Sequence, residues 1–317
     1  MAARSASRKV IYAALVGNFL VAATKFVAAT LTGSSSMFSE AVHSLVDTGN
    51  EALLLYGYHR ASRPPDRHHP LGYGRELYFW SFVVAMLLFV LGAGVAIYEG
   101  VEHILEPKPI ANIGMNYIVL ALSALFEGAT WWVALRSFRA AKGGLGYWQA
   151  ARVSKDPPSF MVLFEDSAAL IGIALAAAGI YFSDRLQMPV LDGLASVCIG
   201  LVLAAAAAFL ARESKDLLIG ERASDRIYDS IIAIAQGEAG VEGANGALTV
   251  HLAPDQIVVA LSLEFADALS TPQIEASVVA IEQRIRAAHP EVVSLFVKPQ
   301  TKRTFDARRG QRFGGPA

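Results

Sequence analysis

The sequence predicts an α-helical membrane protein with six transmembrane helices, followed by a small cytoplasmic α/β domain. Of its 317 residues, 54% are hydrophobic and only 17% are charged, whereas about a quarter of the residues in a soluble domain are charged. Six apolar stretches approach or exceed the roughly 20 residues that a helix needs to cross the hydrocarbon core. From Glu213 onward the composition changes to that of a soluble domain.

The same composition excludes several other classes of protein. The scarcity of charge and the abundance of aliphatic residues exclude a disordered chain. The net charge of −1 offers no basic surface for a nucleic acid, so no nucleic-acid partner is predicted. Cys198 is the single cysteine, which excludes both a disulfide framework and a cysteine zinc cluster.

The six apolar stretches are predicted to cross the lipid bilayer as spans 1 to 6. Lys and Arg are concentrated before span 1, between spans 2 and 3, and between spans 4 and 5, while the opposite side holds only Lys108 and Arg185. This bias places both termini in the cytoplasm or on its equivalent side of an organelle. We expect a bacterial inner membrane, with an organelle membrane as the alternative. The spans cover residues 10–31, 37–58, 78–97, 113–135, 160–182 and 190–211.

The carboxy-terminal part is predicted to be a separate domain with the element order α-β-β-α-β. A helix over residues 223–236 precedes strands over 247–252 and 256–265, and a second helix from Thr271 precedes a strand over 292–297. This order is typical of a two-layer, ferredoxin-like or metallochaperone-like fold. The predicted domains are therefore residues 1–212 in the membrane, 213–300 as an α/β dimerisation domain, and 301–317 as a disordered basic tail.

Polar and charged residues inside two of the spans mark a candidate metal site, because such residues are costly in a bilayer. Span 2 contains His43, Asp47 and Asn50, and span 5 contains the adjacent pair Glu165 and Asp166. His43 and Asp47 lie about 40° apart around a helix and about 6 Å apart along it. An imidazole with two or three carboxylates suits zinc, whereas oxygen-only ligand sets suit magnesium, calcium or manganese.

The alternative interpretation of this cluster is a buried ion pair or a polar network between helices. It is disfavoured because neither span 2 nor span 5 contains a Lys or Arg, and acids without a basic partner need protons or a metal. Lys25 lies near the predicted outer end of span 1, where it could extend to the membrane surface. Glu127 in span 4 has no obvious partner, and either a packing or a proton-related role is open.

The loop between spans 2 and 3 holds a second candidate metal site. Asp66, His68 and His69 lie between Pro65 and Pro70 and could bind a metal weakly at the cytoplasmic mouth. The alternative is a rigid, proline-braced turn with solvated histidines.

The segment from Ser39 to Thr48, with its Glu40, His43 and Asp47, and the proline-rich loop after it resemble the cation diffusion facilitator family of metal transporters. Within that family, Asn50 and the Glu165-Asp166-Ser167 segment resemble the branch that includes the animal mitochondrial zinc transporter.

The resemblance implies a homodimer of six-helix units with a metallochaperone-like cytoplasmic domain. It also implies a transport site with two ligands four residues apart on each of spans 2 and 5. His43, Asp47 and Asp166 match three of these positions, but Val162 occupies the fourth, and whether Glu165 substitutes for it stays open.

Two further sites of the family are altered in this chain. Asp66 and His69 match the family's loop site, where Tyr73 replaces a second histidine. Phe296 and Lys298 stand at the family's domain-interface site, so no binuclear zinc cluster is expected there.

The resulting hypothesis is a secondary active transporter that exports zinc, or a related divalent cation, from the cytoplasm in exchange for protons. The metal is then the transported substrate, no cofactor is permanently bound, and the protein is not an enzyme. The alternatives are transport of iron, manganese or cobalt, an intramembrane metal-dependent enzyme, and a scaffold without transport activity.

Overall fold

The structure is a computed structural model that describes residues 18–313, apart from the side chains of residues 141, 153, 158, 159 and 309–313. It divides into two compact units, Met1–Lys215 and Asp216–Ala317. The boundary between them lies close to the predicted one after residue 212.

The first unit is helical throughout its described part. Its elements are α1 (Asn18–Thr32), α2 (Ser35–Ala61), α3 (Glu76–Leu87), a π-helical segment (Leu88–Ala93), α4 (Gly94–Leu105), α5 (Ile113–Ala141), α6 (Tyr147–Val153), α7 (Pro157–Leu186) and α8 (Val190–Ile219).

Four helices among the described residues are long and apolar enough to cross a membrane, and they correspond to predicted spans 3 to 6. They are Glu76–Leu105, Ile113–Ala140, Phe160–Leu186 and Val190–Ile219. The first of them is a single rod made of α3, the π-helical segment and α4. The protein is thus a helical membrane protein with at least four apolar helices, while the crossing of spans 1 and 2 stays a prediction.

Spans 1 and 2 differ from the other four for separate reasons. The first residues of span 1 lie outside the described part of the chain, and α1 is a shorter apolar helix. Helix α2 has the length to cross, at 27 residues, but its central turns carry Glu40, Asp47 and Glu51. These charges lower its hydropathy, and they are also what makes α2 the candidate functional helix.

The carboxylate of Asp192, in the first turn of α8, holds the start of α2. Asp192 is completely buried, and its oxygens accept hydrogen bonds from the Ser34 hydroxyl at 3.0 Å and the Ser35 backbone N–H at 2.7 Å. The hydroxyl of Ser36 donates to the same carboxylate. Because the first N–H groups of a helix have no partner within the helix, a carboxylate at this end stabilises α2.

Glycines allow α4 and α8 to pack with their backbones in contact. A Cβ atom on Gly100 would lie 2.7 Å from the Gly193 carbonyl oxygen, and one on Gly193 would lie 2.8 Å from the Gly100 oxygen. Such close approach through small residues is a common basis of helix association in membranes. Together with Asp192, it makes α8 the element against which α2 and α4 are positioned.

The second unit has the elements α9 (Asp225–Gln236), β1 (Val241–Ala253), β2 (Gln256–Phe265), α10 (Thr271–Ala288), β3 (Val292–Pro299) and α11 (Lys302–Phe313). The strand order is β1-β2-β3, with β1 antiparallel and β3 parallel to β2. The parallel pair requires a crossover, which α10 supplies. One face of the sheet packs on the helices through buried residues such as Ile257, Leu261, Ile231 and Ile281.

The observed elements extend the predicted ones in two places. Strand β1 begins at Val241 instead of residue 247, because pairing with β2 continues past Gly243 and Gly246 through register shifts. The segment after residue 301, predicted to be a disordered tail, begins with helix α11. The phenyl ring of Phe305 on α11 lies close to Gly246 of β1, which gives this polar helix an apolar contact that its composition does not reveal.

Candidate metal centre between the membrane helices

Helix α2 supplies an imidazole and a carboxylate to one buried site. His43 is fully buried, and its Nε2 lies 3.4 Å from Oδ2 of Asp47, one turn further along the helix. Neither ring nitrogen of His43 forms a hydrogen bond with the described residues, and Asp47 Oδ1 is buried without one as well. Burying polar atoms without partners is costly, so these atoms are candidates for binding a ligand.

Helix α7 brings the adjacent acids Glu165 and Asp166 to the same place. The Asn50 side-chain amide on α2 donates to Glu165 Oε1 at 3.0 Å. Asp166 Oδ2 and Asn50 Oδ1 are buried and have no hydrogen-bond partner among the described residues. The structure therefore pairs His43 with Asp47 and Asn50 with Glu165, and it places Asp47, Glu165 and Asp166 around one cavity.

Asp47, Glu165 and Asp166 border a cavity of about 40 Å³, which we call the chamber. A cavity of this size holds only a few water molecules. Five of the eight polar residues that line it are acids. The lining residues are Asn18, Val21, Ser44, Asp47, Glu51, Leu54, Glu127, Thr130, Val162, Glu165 and Asp166.

The unpartnered donor atoms of His43, Asp47 and Asp166 suit a metal ion in their chemical type but not in their spacing. The unpartnered nitrogens and oxygens are of the types that zinc binds. Among the described residues, however, no three His, Cys, Asp or Glu side chains are grouped closely enough to hold one ion.

Lys25 of α1 does not extend to the membrane surface, so that interpretation of the sequence was wrong. Its ammonium group is fully buried, lies 3.2 Å from Glu40 Oε2 and 3.8 Å from Glu127 Oε1, and donates to the Ser44 hydroxyl at 2.7 Å. A buried charge is tolerated when it is paired, and Lys25 pairs with acids from α2 and α5. Glu127 thus has the partner that its own span does not contain.

Two further polar residues at the chamber, Glu51 and Asn18, are not among the predicted site residues. Glu51 lies one turn beyond Asp47 on α2 and accepts a hydrogen bond from the Asn18 side chain at 2.9 Å. The spacing of His43, Asp47 and Glu51 at four-residue intervals on one helix face was the signal that could have identified Glu51. A polar residue such as Asn18 in span 1 is expected to bond to another helix, but its partner depends on how α1 packs against α2.

The candidate loop site is built differently from the chamber. Oδ1 of Asp66 accepts hydrogen bonds from the backbone N–H groups of His68 and His69 at 2.8 and 2.7 Å, and Oδ2 accepts one from the Tyr73 hydroxyl at 2.6 Å. His69 Nδ1 lies 3.6 Å from Asp66 Oδ1, and its ring packs against Tyr73. Both oxygens of Asp66 are therefore engaged within the loop, as in a turn braced by its own side chain.

These internal bonds also shift the pKa values of the loop. The hydrogen bond from Tyr73, followed by that from the His69 backbone, holds the pKa of Asp66 below its usual range. The same bond to Asp66 raises the pKa of the Tyr73 hydroxyl.

Long apolar helices that enclose unpartnered carboxylates and an imidazole define a membrane protein that handles cations. Comparison with known proteins gives the family. The protein-family model for the cation efflux transmembrane domain matches residues 11–219 of the sequence, which is more than half of the chain. The chain belongs to the cation efflux family, whose members are transporters. This confirms both the family resemblance and the prediction that the protein is not an enzyme.

The relatives include animal and bacterial proteins. The chain is 39% identical over 214 residues to the proton-coupled zinc antiporter SLC30A9, mitochondrial, of Xenopus laevis, and 32% identical over 259 residues to the human protein of that name. These matches cover 67% and 81% of this chain but only 38% and 46% of the relatives. The cation-efflux pump FieF of Klebsiella pneumoniae is 26% identical, with 88% of this chain and 91% of the pump covered. The chain thus spans less than half the length of the animal proteins.

Proposed function

We propose that the protein exports a divalent metal cation, zinc above all, from the cytoplasm in exchange for protons. The observation that carries this proposal is the set of buried donor atoms without partners on His43, Asp47 and Asp166. An imidazole combined with carboxylates favours zinc over magnesium or calcium. The names of the animal relatives, proton-coupled zinc antiporters, support the same substrate and the same counter-ion.

In this proposal, His43 and Asp47 on α2 and Asp166 on α7 bind the metal directly. Glu165 supplies the remaining oxygen in place of a ligand at Val162, and Asn50 orients it through the 3.0 Å hydrogen bond. Asp66, His68 and His69 contribute at most a weak site at the loop, because both Asp66 oxygens already accept hydrogen bonds.

Coupling to protons follows from the chemistry of these ligands. A metal binds the neutral imidazole and the ionised carboxylates, so protons and metal compete for the same atoms. When the metal leaves toward the opposite side, protons take its place on the carboxylates, and the return of the empty site carries them inward. The metal must be released in each cycle, which agrees with a site whose ligands are not already grouped around one point.

The test is metal flux into proteoliposomes that contain a fluorescent zinc indicator or a pH indicator. We expect zinc uptake to be accompanied by proton movement in the opposite direction. His43→Ala, Asp47→Ala and Asp166→Ala should each reduce the flux to the background of empty liposomes, because each removes a direct ligand. Glu165→Gln should reduce it less severely.

Two matched substitutions control for the loss of a histidine or an acid from the same helices. His59 lies near the end of α2 and Asp184 near the end of α7, and both side chains are exposed. We therefore expect His59→Ala and Asp184→Asn to leave the zinc flux unchanged. Normal zinc flux with Asp47→Ala would refute the proposed site. If the unmodified protein transported manganese or iron much faster than zinc, the proposed substrate would be wrong but the proposed site would stand.

A further inference from the structure

A second polar cavity lies beside the last turns of α4, at the start of α2. It measures about 190 Å³ and is bordered by Glu99, Glu102, His103 and Glu106 of the α4 segment and by Ser34 and Ser35 at the start of α2. We call it the α4 cavity. It shares no lining residue with the chamber.

His103 is the unusual member of this group. It is only 8% exposed, and its Nε2 is buried without a hydrogen-bond partner among the described residues. The hydroxyl oxygen of Ser35, also on the border of the cavity, is buried and equally without a partner there. A histidine that serves packing alone ordinarily satisfies its ring nitrogens, so these two atoms indicate a missing ligand.

The helix spacing places carboxylates on both sides of His103. Glu99 lies one turn before it on α4, and Glu106 is the first residue after the end of α4; all three side chains border the cavity. Lys108 is the only basic side chain that lines the cavity among the described residues. Three carboxylates against one ammonium give the cavity a negative potential, which concentrates cations.

The α4 cavity and the candidate metal centre are also connected through helix α2, which contributes residues to both. Ser35 is the first residue of α2, and His43 lies eight residues further on, roughly 12 Å along the helix axis. Asp192 fixes the Ser35 backbone through its 2.7 Å hydrogen bond. A cation that leaves His43 toward the first turn of α2 therefore moves toward the α4 cavity.

We propose that the α4 cavity is a second, weaker binding site for a divalent metal of the zinc type, formed by His103 with the carboxylates of Glu99 and Glu106. Water and the Ser35 hydroxyl complete the coordination. Because no three His, Cys, Asp or Glu side chains among the described residues are grouped around one point, the site binds loosely and exchanges quickly. The identity of the metal rests on the proposed function, while the existence of the site does not.

The test is zinc binding to the full chain in lipid nanodiscs at neutral pH, measured by calorimetry with ZnCl₂ as the probe. The background is His43→Ala combined with Asp47→Asn and Asp166→Asn, which removes the candidate centre between α2 and α7. We expect a residual class of weaker binding in this background. His103→Gln, which keeps a polar side chain of similar size, should weaken the residual binding at least tenfold, and Glu99→Gln should weaken it several-fold.

His59→Ala in the same background is the matched control and should leave the residual binding unchanged. The proposal is overturned if no residual binding exists, if His103→Gln leaves it intact, or if His69→Ala in the loop removes it instead. The proposed function fails separately, if the tighter class of binding survives in the triple variant. Where His103→Gln lowers the yield of folded protein, Glu99→Gln together with Glu106→Gln tests the same site through its carboxylates.

Discussion

Val162 is the residue at which the chamber departs most from an ordinary four-ligand zinc site. It lies one turn before Asp166 on α7 and borders the same cavity, so an imidazole at this position would reach an ion bound to Asp166 as proposed above. We expect Val162→His to increase zinc affinity at least tenfold, which is about 1.4 kcal/mol, and to slow zinc flux because release becomes harder. Binding calorimetry and proteoliposome flux measure the two effects.

Val162→Ala is the control for this substitution, because it removes bulk without adding a ligand, and its zinc affinity should stay close to that of the unmodified chain. An affinity unchanged by Val162→His would contradict the assignment, since it would mean that this turn of α7 does not face the metal.

Tyr73 is the residue that decides how the loop responds to pH. Its hydroxyl is the largest cause of the lowered pKa of Asp66. A lowered pKa in the folded state means that Asp66 stabilises the loop fully above its usual pKa of 3.8 and that this stabilisation is lost as the pH falls through the lowered value. Tyr73→Phe should therefore raise the pKa of Asp66 and shift the loosening of the loop to higher pH.

Carboxyl ¹³C chemical shifts of Asp66, followed from pH 6 to pH 2, measure this pKa directly. His68→Ala is a suitable control, because His68 donates to Asp66 through its backbone and the substitution preserves that bond. An identical Asp66 titration in the Tyr73→Phe variant would show that the hydroxyl does not hold the carboxylate in solution.

The buried ion pair of Lys25 and Glu40 links α1 to α2. Both side chains are fully buried. Glu40 Oε1 packs so closely against Gly172 of α7 that a Cβ atom on residue 172 would clash with it. Lys25→Met leaves Glu40 buried without its cation, which typically costs about 3–5 kcal/mol. Lys25→Met together with Glu40→Gln removes both charges, so we expect the double variant to recover much of that loss.

Equilibrium unfolding in mixed detergent micelles measures the free energy of unfolding of Lys25→Met, of Glu40→Gln and of the double variant. If the double variant lost as much free energy of unfolding as the two single variants lose together, direct pairing would be contradicted, since partners in contact give non-additive effects.

Contacts within one helix could be predicted residue by residue from the sequence, whereas the individual contacts between helices could not. The spacing of His43 and Asp47 gives their shared face directly, because the pitch of an α-helix is fixed. The bonds from Asn50 to Glu165 and from Lys25 to Glu40 depend on which helix faces meet, and the apolar surroundings of all the spans carry no such information. The early start of β1 was missed for a related reason, since pairing with β2 overrides the poor strand propensity of Gly243 and Gly246.

At the scale of the whole molecule, the second unit is expected to respond little to zinc. Its two histidines already have local partners: His251 Nδ1 lies 3.2 Å from the Ala253 carbonyl oxygen, and His289 Nε2 lies 2.7 Å from the Ser230 hydroxyl. We expect the melting temperature of a fragment covering residues 216–313 to stay unchanged with added zinc, because a ligand raises stability only when it binds the folded form. A marked rise that His251→Ala abolishes would make this unit a metal sensor.

The same fragment is expected to form a dimer through the sheet face that its helices do not cover. Leu248 and Phe296 both pair with Ala260, from opposite sides of β2, so the three residues form one row across the sheet. Leu248 is 52% exposed and Phe296 58% exposed, and together with Ala260 they leave an apolar strip on the surface. A second copy of the chain could cover such a strip with its own, as two-fold symmetric interfaces do.

Phe296→Glu should therefore turn the fragment into a monomer, because two carboxylates would face each other across the two-fold axis. Val279→Glu places the same change at an exposed position on α10, away from the strip, and should leave the dimer intact. Analytical ultracentrifugation at several concentrations measures both. A monomeric unmodified fragment, or a Phe296→Glu fragment that still dimerises, would show that this face of the sheet is not where two copies of the chain meet.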